Sequence, residues 1–405
     1  MENKWVRAAI PALLIHVSIG SVYCWSVYKQ LIADEFNTSA ATVEWGFSLA
    51  IFFLGMSAAF LGPLVEKDIK RSSLVALFCF TLGFALTGLS ISTHFLLGIY
   101  LSFGVLMGIG LGVGYLTPVK NLMLWFSGNK GLATGIAVAG FGLAKVIATP
   151  AMEILIPKVG LVNMFYILAC FYAGMMFLAF VLIKRPKGYV YSAKKSAVKR
   201  FDLMKRKEFL PIWFMFYLNI TCGLALISQE KDFLKIVLHE KGFTEASIIG
   251  VIATVMAVDA AFNTGGRLFF SSVSDRFKFR ETSYKILFSM SIFACGAYLI
   301  MHMISPYELW SIFMLLFLVN AGYGGGFSTL PVLLDQHYGM STISTVHGLV
   351  LSAWAFAGLS GNQLSSFIVH KLHLSYNTVV MVILALYMVS FGLITYVKGL
   401  KQREV

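Results

Sequence analysis

Apolar residues run along this chain in long unbroken stretches, and most of the charged ones gather between them. Twelve stretches reach the roughly 20 mostly apolar residues that a bilayer-spanning helix needs. They are 6–28, 42–65, 73–92, 95–118, 131–156, 161–183, 210–229, 247–271, 284–304, 308–334, 343–369 and 376–398. Only helices and closed barrels satisfy their backbone groups in lipid, and runs of this length without alternation predict helices. The expectation is an all-α polytopic membrane protein with twelve transmembrane helices and negligible strand. Lys4 and Arg7 precede the first run with no small-residue cleavage site after it, so it reads as a retained span and not a removable signal.

The eighth run breaks the apolar pattern in an ordered way. Asp259, Asn263 and Arg267 stand four residues apart, which puts them on one helix face, one above the next. A charge at the bilayer centre costs from about 3 kcal/mol on insertion scales to more than 10 in simulations, so such residues turn to a bundle interior or a wet cavity. By default they mark the path of an ion or substrate. The plainer reading is a buried polar set that only fixes helix packing.

Composition agrees with the pattern. Hydrophobic residues make up 58% of the 405 and charged ones 13%, against about 25% charged in a typical soluble domain. The formal charge of +13 invites a nucleic-acid reading, but its distribution argues against one. Ten basic residues (Lys184, Arg185, Lys187, Lys194, Lys195, Lys199, Arg200, Lys205, Arg206 and Lys207) crowd one inter-run loop, opposed only by Asp202 and Glu208. Further bases follow runs two, eight and twelve. These are the even-numbered loops, so the positive-inside rule expects both termini and the 184–208 loop in the cytoplasm. The partner implied is the lipid bilayer. The five cysteines are scattered through the runs without a CxxC pair and read as small packing residues; no metal or cofactor is implied.

The basic loop divides the chain into a six-helix half at 1–183, a linker at 184–208 and a second six-helix half at 209–405. Internal similarity supports the division. Run four carries Gly110-Leu-Gly112-Val-Gly114-Tyr115-Leu-Thr117-Pro118, and run ten carries Tyr323-Gly324-Gly325-Gly326-Phe327-Ser-Thr329-Leu-Pro331 at the same ordinal place. Gly lets helices approach closely and Pro kinks them. Spans interrupted in this way at matching positions are the best sequence pointer to a transporter's binding site. A second repeat follows runs two and eight: Glu66, Lys67, Lys70 and Arg71 in one copy, Asp275, Arg276 and Arg280 in the other. Acid and base at a helix end can make charge-assisted bonds that hold one conformation and break in another, so these are candidate gating residues.

With these motifs in view the chain resembles the major facilitator superfamily, and within it the oxalate/formate antiporter family, which includes lactate carriers. The resemblance rests on Gly20-Ser-Val-Tyr23-Cys-Trp25-Ser26, Gly62-Pro63-Leu-Val, the run-four motif, and Gly131-Leu-Ala-Thr134-Gly135 through Gly142. Gly265-Gly266-Arg267, Tyr323-Gly-Gly-Gly-Phe and Ala353-Trp354-Ala-Phe-Ala-Gly358 complete it, over nearly the whole length. It implies two pseudo-symmetric six-helix bundles in the inner membrane of a bacterium and a monomer. It also implies that Arg267 holds a substrate carboxylate. The chemistry fits independently, because guanidinium stays charged and grips a carboxylate through two parallel bonds. Asn263 is a companion hydrogen-bonding group. Tyr115, Tyr323, Tyr23 and Trp25 are candidate walls, though a single ring more often serves helix packing than ligand contact.

Lys145 departs from the small, apolar pattern expected in run five. Counted from Gly131 it is about 21 Å deep, and Asp259, counted from Val273, is equally deep. The expectation is that the two pair across a central cleft, offset each other's burial cost, and leave Arg267 to the anion. If Lys145 faces the cargo instead, two cations would suit a dicarboxylate. The family's dicarboxylate carriers are expected to have a lysine in span eleven, and Val346 to Val369 has none, which favours a monocarboxylate. Asp259 and His347 are the candidate proton carriers; anion exchange needs neither. No HExxH or GxSxG motif supports an enzyme: His239-Glu240 lacks the second His. A non-transporting sensor of the same fold is the remaining alternative.

Overall fold

The computed structural model describes residues 3–189, 191, 200–305 and 309–403. Lys194, Lys195 and Lys199 of the basic loop lie outside the described residues, as does the first residue of the tenth predicted run. Among the described residues, twelve helices are long and apolar enough to cross a bilayer, and no strand is present. They are α1 (Trp5–Glu35), α2 (Ala40–Lys67), α3 (Ile69–Ser92), α4 (Leu96–Trp125), α5 (Lys130–Val159), α6 (Leu161–Leu182), α7 (Phe209–Ile227), α8 (Glu245–Ser274), α9 (Glu281–Ile304), α10 (Leu309–Tyr338), α11 (Ile343–Val369) and α12 (Tyr376–Gln402).

Helix ends follow local chemistry. Ser39 opens α2 by accepting from the Thr42 N–H, and Asp68 opens α3 by accepting from the Lys70 and Arg71 N–H groups. Thr244 opens α8 by accepting from Ser247. These side chains satisfy donors that the first turn leaves without intrahelical partners. Asp68 does this in a break of a single residue, so α2 passes almost directly into α3. Gly160 closes α5 at φ +81°, a conformation that costs residues with a Cβ.

The chain forms two compact units. One contains residues 1–203 together with 334–355; the other contains 204–333 and 356–405. The end of α10 and the start of α11 therefore pack in the first unit. Small residues explain how. A Cβ on Gly348 would lie 2.0 Å from the Ala58 carbonyl oxygen, and one on Gly62 2.5 Å from that of Ser344. Glycine on both sides brings the α2 and α11 backbones into contact.

The glycines of the two repeated motifs do the same work inside their own units. In α4, a Cβ on Gly110 would meet the Phe80 amide of α3 at 2.5 Å, and one on Gly112 the Leu54 oxygen of α2 at 2.2 Å. In α10, a Cβ on Gly324 would meet the Asn263 oxygen of α8 at 2.2 Å, and one on Gly326 the Asn219 amide of α7 at the same distance. Pro118 and Pro331 lie inside these two helices.

Candidate functional site

In the second unit the close approach of α8 and α10 joins four polar side chains into one chain of hydrogen bonds. Arg267 Nε donates to Asn263 Oδ1 at 2.9 Å. Asn263 Nδ2 donates to Asn320 Oδ1 at 2.6 Å, and Asn320 Nδ2 donates to the Asp259 carboxylate. Arg267 and Asp259 are both buried, at 3% and 4% exposure. Eight residues of helix separate them, about 12 Å of rise, and two amides fill the interval. An amide suits this position because it donates and accepts at once. A basic and an acidic side chain are thus buried on one helix face with their hydrogen bonding shared, which lowers the cost of removing both from water.

The guanidinium lies 5.7 Å from the Phe327 ring centre, within cation–π range. Its backbone is fixed as well: the Arg267 carbonyl accepts from Ser271 at 2.6 Å and from Ser328 of α10 at 2.7 Å. Tyr323 is buried one turn from Phe327, edge-on to it at 5.2 Å between ring centres, and its ring fills the space above Gly223 of α7. What results is a preorganised, apolar-walled position for one guanidinium, suited to recognising an anion.

The first unit holds its own buried polar group. Glu66, at the end of α2, pairs with Lys120 of α4 at 2.8 Å, each side chain 1% exposed. Glu66 Oε1 also accepts from the Ser344 N–H in the first turn of α11, and Lys120 donates to the Met340 carbonyl. A second pair, Lys130–Asp335 at 2.6 Å, ties the start of α5 to α10. Arg185 donates to the carbonyls of Val65 and Glu66 at 2.7 and 2.6 Å, closing the end of α2. Beside it, outside the spans, burial raises the Tyr189 hydroxyl above its ordinary pKa, and the Arg185 charge partly opposes the shift.

The remaining predicted residues divide between these groups and ordinary packing. Tyr115 is buried in a ring cluster with Phe141, His347 and Trp354, at 5.7, 5.9 and 5.8 Å between centres. His347 is buried with it, and its Nε2 has no hydrogen-bond partner among the described residues. Tyr23 is half-buried, edge-on to Phe141 at 5.4 Å. Trp25 is buried 4.4 Å from Phe103 and against Gly46, so its ring is spent on packing α1 to α2 and α4. Lys145 is exposed on its helix, whereas the Asp259 carboxylate takes Asn320, a residue of its own unit, as partner. Of the basic residues beside Glu66, Lys67 is exposed, Arg71 pairs with Asp68 at 3.3 Å, and Lys70 reaches the carbonyls that end α6. In the second copy Arg280 pairs with Asp275 at 3.3 Å and donates to the Ser274 carbonyl, while Arg276 is exposed.

The family model of the Major Facilitator Superfamily matches residues 12–362. The chain belongs to this superfamily. It is an integral membrane transporter, not an enzyme. Among its relatives, the oxalate:formate antiporter of Oxalobacter formigenes is 22% identical over 403 residues, covering 98% of this chain and 92% of that one. The uncharacterized MFS-type transporter YhjX of Escherichia coli (strain K12) is 26% identical over 358 residues, covering 86% and 84%. Human monocarboxylate transporter 14 is 24% identical over 163 residues, 40% of this chain and 31% of that one. Of solved structures, a bacterial homologue of the iron transporter ferroportin in an outward-facing state superposes with TM-score 0.75 at 12% identity, covering 96% of this chain and 98% of that one. The transporter FucP in an outward conformation gives 0.66 at 14% identity, covering 96% and 97%. Both establish the facilitator fold.

Three polar residues of this facilitator escaped the sequence reading. Asn320 is one amide in an apolar run with no periodic companion. Lys120 follows the Gly/Pro motif of α4 by two residues, and Asp335 follows that of α10 by four. A charge just past a kinked span was the available signal for the last two.

Proposed function

We propose that this facilitator carries a small monocarboxylate, such as lactate, pyruvate or formate, by alternating access, with Arg267 as the anion anchor. The observation that supports it most is the Asp259–Asn320–Asn263–Arg267 chain, which fixes a buried guanidinium through its Nε and walls it with Phe327. A guanidinium away from bulk water binds a carboxylate more strongly than one in solvent. Cation count bears on the cargo: α11 has no lysine, which suits one carboxylate better than two. Asp259 is the candidate coupling group, taking up a proton when its hydrogen-bond partner moves away. Tyr323 and Asn263 complete the anion's surroundings. Tyr115 and Tyr23 of the first half and His347 of α11 belong to the transport path.

The buried Glu66–Lys120 pair and the Asp275–Arg280 pair act as gates that hold one conformation and break in the other. The functional halves are 1–183 and 209–405, joined by the basic linker. Basic even-numbered loops support cytoplasmic termini in a bacterial inner membrane, and the unit of function is the monomer. A second reading, an oxalate/formate-type exchanger, is favoured by the antiporter relative that spans the whole chain. There Lys145, instead of pairing with Asp259, would serve as a second substrate cation.

The direct test of the anchor is calorimetric titration of the detergent-purified chain with lactate. Arg267→Lys keeps the charge and loses the planar fork, and at least about a tenfold loss of affinity is expected. Unchanged affinity would remove Arg267 from this role.

A further inference from the structure

A cleft of about 540 Å³ opens between α9 and α12 in the second unit, away from the polar chain described above. Lys285, Lys398 and Thr282 stand at one end of its lining, and Ile286, Met290 and Phe293 continue along α9. Lys285 is four residues into α9 and Lys398 four residues short of the end of α12, so both cations sit about 6 Å inside their helix ends. Phe293 is twelve residues from Glu281, about 18 Å along the same helix. The cleft thus has a cationic mouth near one membrane face and an apolar wall descending from it. No acidic side chain lines it among the described residues.

The two lysines do not simply extend towards water. Lys398 of α12 donates to Thr282 Oγ1 of α9 at 3.1 Å. Lys285 of α9 lies 5.1 Å over the Phe391 ring of α12. Each cation crosses to the opposite helix, so the pair brackets the mouth from both sides. A snorkelling lysine would instead follow its own helix outwards.

We propose that this cleft binds an anionic phospholipid, its phosphate between Lys285 and Lys398 and one acyl chain along Ile286, Met290 and Phe293. Two cations without a counter-ion in the lining call for net negative charge, which a zwitterionic headgroup does not bring. The wall beneath them calls for hydrocarbon, which a soluble anion does not bring. Ile286 and Phe293 are exposed on the outer side of α9, open to an acyl chain. The inference is independent of which substrate Arg267 holds.

Native mass spectrometry of the full chain, released from micelles with phosphatidylglycerol or phosphatidylcholine, tests it. The unaltered chain should retain one phosphatidylglycerol beyond its phosphatidylcholine count. Lys285→Gln with Lys398→Gln should weaken that retention at least about tenfold, given the attraction of each basic side chain for anionic lipid. Ser289→Trp, which fills the cleft and keeps both charges, should abolish it. Lys187→Gln with Lys401→Gln, a control for general charge, should leave it intact. Equal retention of both lipids, full retention by the double variant or by Ser289→Trp, or an equal loss in the control pair would each overturn the proposal.

Discussion

Asn320 donates to the Asp259 carboxyl group and accepts from Asn263, so one amide joins a buried acidic side chain to the side chain that orients Arg267. Replacing it with Leu keeps the branching of the side chain and removes both functions. The Asp259 carboxylate is then left short of a donor, and a buried polar group without its partner costs about 1–3 kcal/mol, more for a charge. Asn320→Leu should therefore lower the unfolding midpoint of the purified protein and cut transport at least about tenfold. Transport at the normal rate would mean that the polar chain does not hold Arg267 in its working position. The contrast with Asp259, Asn263 and Arg267 shows what a sequence can reveal. Those three share a helix, so spacing alone puts them on one face. Asn320 joins them only through contact between α8 and α10, and no local pattern encodes that contact. The aromatics were ambiguous for a related reason: rings that line a cavity and rings that fill an interface look alike in sequence, and the packing of Trp25 against Phe103 and Gly46 appears only in the fold.

Glycine spacing made the helix contacts partly legible. The motifs in α4 and α10 predicted close approach, and Gly110, Gly112 and Gly324 do meet neighbouring backbones, while Gly114, Gly325 and Gly326 meet side chains. What a motif does not say is which glycine in a pair bears the contact. In Gly265-Gly266, a Cβ on Gly266 would lie 2.1 Å from the Ala321 carbonyl oxygen, whereas one on Gly265 would meet nothing within 4 Å. Adjacent substitutions should therefore behave oppositely. Gly266→Ala must separate α8 from α10, at the roughly 1–3 kcal/mol typical of overpacking. Gly265→Ala should be neutral or stabilising, since Ala is favoured over Gly in a helix by about 0.5–1 kcal/mol. Thermal unfolding of both variants checks this; similar midpoints would contradict the assigned α8–α10 contact. Helix ends were less legible. The runs gave the apolar cores, but α2, α4 and α10 continue past them because Glu66, Lys120 and Asp335 find partners there.

At the scale of the whole molecule, twelve apolar runs conveyed an all-α membrane protein and two repeated motifs its two halves, while the facilitator fold was implied by the family resemblance. The sequence did not convey that residues 334–355 pack in the first unit. That depends on the buried Glu66–Lys120 pair and on the Ser344 N–H that Glu66 accepts, contacts remote along the chain. Removing one member of a buried pair strands the other charge and costs about 3–5 kcal/mol, while replacing both can be nearly neutral. Glu66→Gln should thus be more destabilised in thermal unfolding than the double variant Glu66→Gln, Lys120→Met. Losses that simply add would contradict the pairing. The central claim, that the chain moves a small monocarboxylate on a single arginine anchor, is tested most directly by uptake of labelled lactate into proteoliposomes. The account predicts saturable uptake into empty vesicles by the unaltered chain and its loss in Arg267→Lys. Uptake that required trapped oxalate, or that persisted unchanged in Arg267→Lys, would contradict it.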